Sequence, residues 1–535
     1  MVAAITLGGL LLRLRSTGNS LFGDELSTYS LVNGHSVGDI VRTLDGHSVD
    51  LTPPLYFILA WVAERLGSSP EALRSPALLA GVAAIPLTYL LGLRTVGPRA
   101  ATAGALLVAL SPFLIFYSTE ARAYSLVMFL VLACTVALLE ALRTHRTRYW
   151  VAYACLSCAA IYTHYTAVFP LAALLIWALV AHRQQARALL LANIAAAIGF
   201  APWLPVLSKN SGSFGTKVFE IFDPFGPRAV VRDVSRWAIG HPYLRLSTEP
   251  GPVAIVLILG GLVLAVGLGV RQVTSARAAG RERLVLNVAP VLLPVLLALA
   301  TPVGLALYST VRDSAWDLRN LISSWPAFGL TLGALLTMPR RRLGIAATGL
   351  VVVGFAIGGV QLLSSANERP DYAAAASLVL SRRERADPVA IIGAPTPGPY
   401  SAMDAAFNYD GDPGRPLLRL GSASLGAVLA APPYAFLPPT PTATLAAATA
   451  RAGAHEVFIV APGVATVAQL LRPAALDVPR VLGPTFGTGP SGALLGTVFK
   501  PLSAYMRDIL PRYIPVQTIH LPGFLRLSVY VFRRR

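Results

Sequence analysis

Two adjacent carboxylates, Asp24 and Glu25, stand in "SLFGDELSTY" directly after a leucine run apolar enough for lipid. Charge beside hydrocarbon is costly, and where it occurs it marks function. An aspartate with an acidic neighbour is a better proton acceptor than an isolated one, because like charges raise a carboxyl pKa. Such a pair could take a proton from a hydroxyl during a group transfer. Polar groups recur where later apolar runs end. Asp50 precedes "TPPLY", and "FYSTEARAY" carries Tyr117, Glu120, Arg122 and Tyr124. "YTHYT" carries His164 and Tyr165, and "DLRNL" carries Asp317, Arg319 and Asn320. Such a set could be a channel mouth or a site for an anionic, lipid-linked substrate.

Each of these features has a plainer reading. Asp24 and Glu25 would suit the first turn of a helix, where the macrodipole favours acidic residues. Glu120 with Arg122, and Asp317 with Arg319, could be ion pairs, and His164 a residue of the membrane interface. Asp24, Glu120 and His164 could together hold a hard cation. No spacing fixes such a geometry, so no cofactor or metal is expected.

The elements that must position these residues are membrane elements. The chain has 535 residues, 55% hydrophobic and 13% charged, with mean hydropathy +0.61. Soluble domains carry about 25% charged residues. The net charge of +18 comes mostly from arginine. Its residues fall in short clusters between apolar runs, as topology signals do and nucleic-acid sites do not. Cys134, Cys155 and Cys158 all lie inside apolar runs. The CxxC at 155–158 has no second pair, so packed thiols are expected and no disulfide.

Runs long enough to span a bilayer, about 20 residues, fall near 73–93, 100–117, 123–142, 149–165, 166–181, 188–207, 251–270, 285–309, 320–338 and 343–363. A shorter one at 1–15 brings the expected total to about eleven. Arg94 and Arg99, Arg143 to Arg148, Arg183 and Arg187, Arg271 to Arg283, and Arg340 to Arg342 occupy alternate loops. The positive-inside rule puts those loops in the cytoplasm. Loops 16–72, 118–122, 209–249 and 311–319, and everything after 364, then face outward. Arg13 and Arg15 conflict with this, since they flank the outer end of the first span. The shortness of that span points to a start further upstream; a cleaved signal peptide is the alternative, but no small-residue cleavage site precedes Asp24. "LTPPLYFILAWVAERLG", 51–67, is too short to span and reads as an amphipathic helix at the outer interface, with Tyr56 and Trp61 as interfacial aromatics.

After residue 364 the composition changes. "PVAIIGA", "HEVFIVAPG" and "LRLSVYVF" read as short strands and "DYAAAASLVLSRR" as a helix between them. Alternation of that kind predicts a small α/β domain. The fold class is therefore a polytopic α-helical membrane protein with a C-terminal extracytoplasmic α/β domain. The division is 1–364, with external loops 16–72 and 209–249, and 365–535.

The ordered set Asp-Glu, PPLY, YSxEAR and an arginine motif before "WPAF" resembles the polytopic glycosyltransferases of the GT-C fold over about residues 1–370. The nearest likeness is to family-39-type bacterial enzymes, relatives of protein O-mannosyltransferases and lipid A aminoarabinose transferases. "RPDYAAAASLV", 369–379, resembles the start of the external domain of many members. Many relatives have His before the two prolines; here Thr52 stands there, so that role is absent or moved to His47. The resemblance implies transfer of a sugar from a polyprenyl-phosphate donor to an envelope glycan, glycolipid or protein acceptor, outside a bacterial cytoplasmic membrane. It implies Asp24 as general base with Glu25 as its partner, and a phosphate leaving group whose developing charge an arginine would meet, Arg122 and Arg319 being the best placed and Arg13 and Arg245 outside candidates. It gives substrate contact to Asp50, Tyr117, Glu120, Arg122, Tyr124, His164 and Arg319, and makes loop 209–249 a cover. Partners would be the donor, the acceptor and the bilayer, with no nucleic acid. The Ala-, Arg-, Gly- and Pro-rich composition makes mannose and arabinofuranose the sugars to test first. Two rivals remain at this level: a flippase for lipid-linked glycans, against which the lack of internal pseudo-symmetry speaks, and a non-catalytic envelope scaffold.

Overall fold

The structure is a computed structural model that describes residues 1–45, 51–210, 225–278, 289–312, 314–339, 341–382, 387–392, 402–409, 418–420, 454–462, 466–471, 505–507 and 509–535. A helix occupies each of the eleven apolar runs. Among the described residues, six helices are long and apolar enough to cross a membrane: Pro70–Thr95, Tyr124–Thr144, Arg183–Lys209, Gly251–Gln272, Leu292–Val311 and Arg342–Gln361. A seventh is counted if the bent pair Pro98–Leu110 and Pro112–Ser118 forms one span. The helices Val2–Leu14, Thr147–Thr163, Tyr165–Ala181 and Trp325–Thr337 are shorter. Leu7, Ile176, Val180, Ile198, Val256 and Leu307 are exposed on the outer faces of the bundle, as lipid-facing residues must be.

Local chemistry explains the breaks. The helix Pro70–Thr95 starts where the Ser69 hydroxyl accepts from Ala72 N at 3.2 Å and Pro70 takes the first position. The pair Pro98–Leu110 and Pro112–Ser118 bends by 59°. Pro112 has no N–H for the carbonyl of Val108, four residues back. Arg13 supplies the missing donors: its Nη2 reaches Val108 O at 3.1 Å and its Nη1 reaches Ala109 O at 3.0 Å. Arg13 therefore has a packing role inside the bundle. It repairs a broken span, and its neighbour Arg15 lies 3.9 Å from Glu368. Small residues let the helices close up. A Cβ on Gly333 would lie 2.5 Å from Ala100 O, and one on Gly104 would lie 2.8 Å from Leu330 Cδ2.

The PPLY stretch forms the helix Leu55–Leu66, with Pro54 as its N-cap. Trp61 lies at its edge and donates to His35 O at 2.7 Å. Tyr56 departs from expectation. It is fully buried, its hydroxyl 3.4 Å from Leu73 O, because the helix packs against Pro70–Thr95.

The C-terminal part carries a five-stranded sheet in the order β2-β1-β3-β5-β4: β1 (Val389–Ile392), β2 (Leu418–Leu420), β3 (Glu456–Pro462), β4 (Tyr513–Leu521) and β5 (Leu527–Arg534). β1 pairs in parallel with β2 and β3; β5 runs antiparallel to β3 and β4. Val457 and Ile459 pack into one apolar layer with Tyr530 and Phe532. Phe458 and Val460 pack into the other, with Val529, Val531 and the helix Tyr372–Arg382. Side chains alternate across a strand, so a strand covered on both faces reads as an unbroken apolar run.

Candidate active site

The Asp-Glu pair sits at a sharp corner. Gly23 adopts φ +59°, the left-handed region that glycine enters without strain, and Asp24 caps the helix Glu25–Val32. All eight residues of that helix are buried. It lies between the helices Leu55–Leu66 and Ala402–Tyr409. The corner sends the two carboxylates in opposite directions.

Asp24 faces an opening, its side chain 30% exposed. Arg319 Nη1 donates to Asp24 Oδ2. The same guanidinium lies 3.1 Å, through Nε, from Asp317 Oδ2, and its backbone N donates to Asp317 Oδ1 at 3.0 Å. Asp317 thus caps the 3-10 turn Leu318–Ser324 that presents Arg319. Three tryptophan N–H groups hold this segment against the helix Pro227–Ile239. Trp316 donates to Asp233 Oδ2 at 3.0 Å, Trp237 to Leu321 O at 3.1 Å, and Trp325 to Trp237 O at 2.8 Å. From Arg319 an aromatic wall continues. Its guanidinium lies 5.9 Å from the Tyr124 ring centroid, which lies 5.1 Å from Tyr117 and 5.7 Å from His164. Nδ1 of His164 is 2.8 Å from Thr166 Oγ1.

Glu25 is fully buried, and both of its oxygens are taken. Arg74 Nε donates to Oε1 at 2.7 Å and Nη2 to Oε2 at 2.6 Å, a two-pronged pair. Backbone N–H groups of Ala121 and Phe22 add bonds of 2.8 Å and 3.2 Å, and Arg369 Nε stands 3.5 Å from Oε2. Burial alone would raise the pKa of this carboxyl; Arg74 and Arg369 outweigh it and hold the group below the usual range.

The YSTEAR turn joins the two halves. Glu120 is 3% exposed, and its Oε2 has no hydrogen-bond partner among the described residues. Burial and the negative charge of Glu25 push its pKa up to about 8. Arg122 turns the other way, Nη2 donating to Thr52 Oγ1 at 3.1 Å and the guanidinium 5.6 Å from the Phe57 ring centroid. Thr52, which stands where many relatives have His, is thus an arginine partner here. Asp317 is also raised, to about 6, by burial that Arg319 only partly offsets.

Of the residues named from the sequence, Asp24, Arg319, Tyr124, Tyr117 and His164 form one connected wall, with Glu120 and Arg122 behind it. Asp50 and His47 lie outside the described residues, as does 211–224 of the expected cover. Arg13 and Arg245 belong elsewhere: Arg13 is buried in the bundle, and the Arg245 side chain is exposed. No group of three His, Cys, Asp or Glu side chains converges as a cation site among the described residues. Sequence reading missed Arg74, although an arginine in the apolar run "PEALRSPALLAG" is itself a signal. It also used Arg369 only as a domain marker.

Comparison with known proteins speaks to the fold. The profile described as dolichyl-phosphate-mannose-protein mannosyltransferase matches residues 51–208, the stretch holding PPLY, YSTEAR and YTHYT. No curated protein matches this sequence closely enough to count as a relative. Among solved structures, ArnT from Cupriavidus metallidurans bound to undecaprenyl phosphate matches at 12% identity and a TM-score of 0.53, covering 99% of this chain and 97% of that one. The same protein in the apo state matches at 13% identity and a TM-score of 0.52, covering 99% and 97%. The mycobacterial arabinofuranosyltransferase AftD gives 13% identity and a TM-score of 0.46, covering 100% of this chain and 40% of that one. The chain is a multi-helix protein with the GT-C fold of membrane glycosyltransferases, the fold its sequence motifs resemble.

Proposed function

We propose that this chain transfers a sugar from a polyprenyl-phosphate donor to an acceptor hydroxyl on the outer side of a bacterial cytoplasmic membrane. The observation that carries the reading is the contact between Asp24 and Arg319 at the opening of an otherwise buried site. A base and a phosphate-seeking cation that neutralise each other at rest are separated by the substrate that needs both. The donor phosphate would draw Arg319 and leave Asp24 free to accept the acceptor proton. The anomeric C–O bond to phosphate breaks, the acceptor oxygen takes the carbon, its proton passes to Asp24, and the phosphate leaves with the electron pair beside Arg319. Tyr117, Tyr124 and His164 would line the sugar. Glu25 acts through position only, since both of its oxygens are occupied. Undecaprenyl phosphate in the matched ArnT structure supports a lipid carrier of this class.

Helices in all eleven apolar runs support eleven passages, the short ones completed by their flanking turns. Arginine in alternate loops supports a cytoplasmic side opposite Asp24. We divide the chain at 364–365 into a catalytic membrane part and an external α/β part. The test is to incubate purified wild-type and Asp24→Asn proteins with a panel of polyprenyl-phosphate sugars and follow release of the carrier phosphate. One donor consumed by wild type and spared by the variant is the expected result. Equal turnover by both would remove Asp24 from the chemistry.

A further inference from the structure

The turn between β4 and β5 reaches from the external sheet to the Asp24 corner. It carries Phe524, whose ring stacks on Tyr243 at 5.2 Å with 6° between planes. The same ring meets Phe22 edge-on at 5.4 Å and His241 at 5.8 Å. Phe116 closes the cluster from below, 5.3 Å from Tyr243 and 4.9 Å from His241. The backbone fixes the approach: Phe524 N donates to Glu368 O at 2.8 Å, and Gly523 at φ +145° passes 3.1 Å, at its Cβ position, from Pro370. Phe22 is two residues from Asp24, and its N–H is one of the donors to Glu25. From the other side Arg369 lies over the Phe116 ring at 4.3 Å and points at Glu25. Ser20 Oγ also accepts from Ala373 N at 2.8 Å. The segment that carries the base is therefore gripped by the external part at 20, 22 and 25.

From this geometry we infer that the β4–β5 turn is a working part of the active site, with Phe524 a positioning residue that fixes the Phe22–Asp24 corner and shuts water out from above it. The inference rests on the transferase reading for its chemistry, but not for its geometry. An aromatic seat suits both tasks: offset and edge-on rings hold preferred separations, and half-buried apolar rings cover the corner on the side they pack against. Water is the rival nucleophile in any glycosyl transfer. It can attack the anomeric carbon as an acceptor hydroxyl does, its proton passing to Asp24 and the carrier phosphate leaving, so that free sugar is the product.

The experiment uses the full-length protein with Phe524→Ala and, as a milder variant, Phe524→Leu. The first readout is deuterium uptake by peptide. Phe524→Ala raises uptake in 20–32 and 241–249 while β3, Glu456–Pro462, stays protected, and Phe524→Leu gives a smaller rise. The second readout is the fate of the donor sugar. The share released as free sugar rises several-fold, and kcat for transfer falls about tenfold while donor KM stays within about twofold. A rise in uptake with wild type inert toward every donor leaves the positioning intact and removes the transferase reading. Unchanged uptake at 20–32, or loss of β3 protection in both variants, overturns the inference. So does raised uptake with an unchanged ratio of transfer to hydrolysis.

Discussion

Asp24 and Glu25 are chemically almost the same and adjacent in the chain, yet they live in different solvents. Asp24 has one guanidinium contact and 30% of its side chain open. Glu25 has two arginines, two backbone donors and no exposure. A partly exposed ion pair contributes little to stability and is easily exchanged for a substrate contact. A buried one costs much to form, and breaking it strands a charge. The comparison teaches that a carboxylate suited to reaction and one suited to architecture differ in what surrounds them. The corner at Gly23 makes neighbours into opposites.

The comparison breaks most sharply if Asp24 is neutralised. Asp24→Asn lowers donor consumption by about 10²–10⁴-fold, the usual worth of a general base, while thermal unfolding in detergent moves by about 1 kcal/mol or less. Glu25→Ala does the reverse. It costs about 3–5 kcal/mol of stability, because Arg74 and Arg369 are left as buried charges without their carboxylate, and the loss reads out as a lower Tm. If Glu25→Ala were as stable as wild type, its architectural role would be lost.

Arg319→Lys sharpens the middle ground. A lysine keeps the charge but cannot hold Asp24 and Asp317 from one planar fork. We expect a fall in kcat of about 10–100-fold with little change in Tm. An unchanged kcat would mean that Arg319 serves the resting pair alone.

The smallest effect is a pH dependence from the third carboxyl. Glu120, raised by burial to about 8 from an ordinary 4.5, binds its proton more tightly folded than unfolded. Its contribution is fully present below about pH 4.5 and is lost as pH rises through 8. Wild type should therefore lose Tm between pH 5 and 9 more steeply than Glu120→Gln, as scanning calorimetry at both ends would register. Parallel curves would show that Glu120 is already ionised at neutral pH.

Much of this was legible in the chain. Apolar length located a helix at every run, and short runs rich in β-branched and aromatic residues located β1, β3 and β5, because each property is local. Asp24 and Arg319 stood out in the sequence, since a charge at the end of an apolar run is costly to keep unless it is used, and the structure brings the two into contact. What escaped depends on partners distant in sequence. Arg13 looked misplaced until Pro112, a hundred residues on, proved to have orphaned the carbonyl it serves. Tyr56 was given to the interface because its burial comes from a neighbouring helix. Different fates for Asp24 and Glu25 needed Arg74 and Arg369 to be seen together. Phe524 in "LPGFLR" looks like any turn residue until Phe22 and Tyr243 surround it.

The grip of Arg369 and Phe524 on residues 22–25 also orders events in time. Asp24 is synthesised about 500 residues before Phe524. A nascent chain whose first helices have formed still lacks these two contacts, and gains them only once Arg369 and the β4–β5 turn have been made and folded back against the corner. The Asp24 corner is then among the last places in the molecule to become rigid, however early its own helix forms.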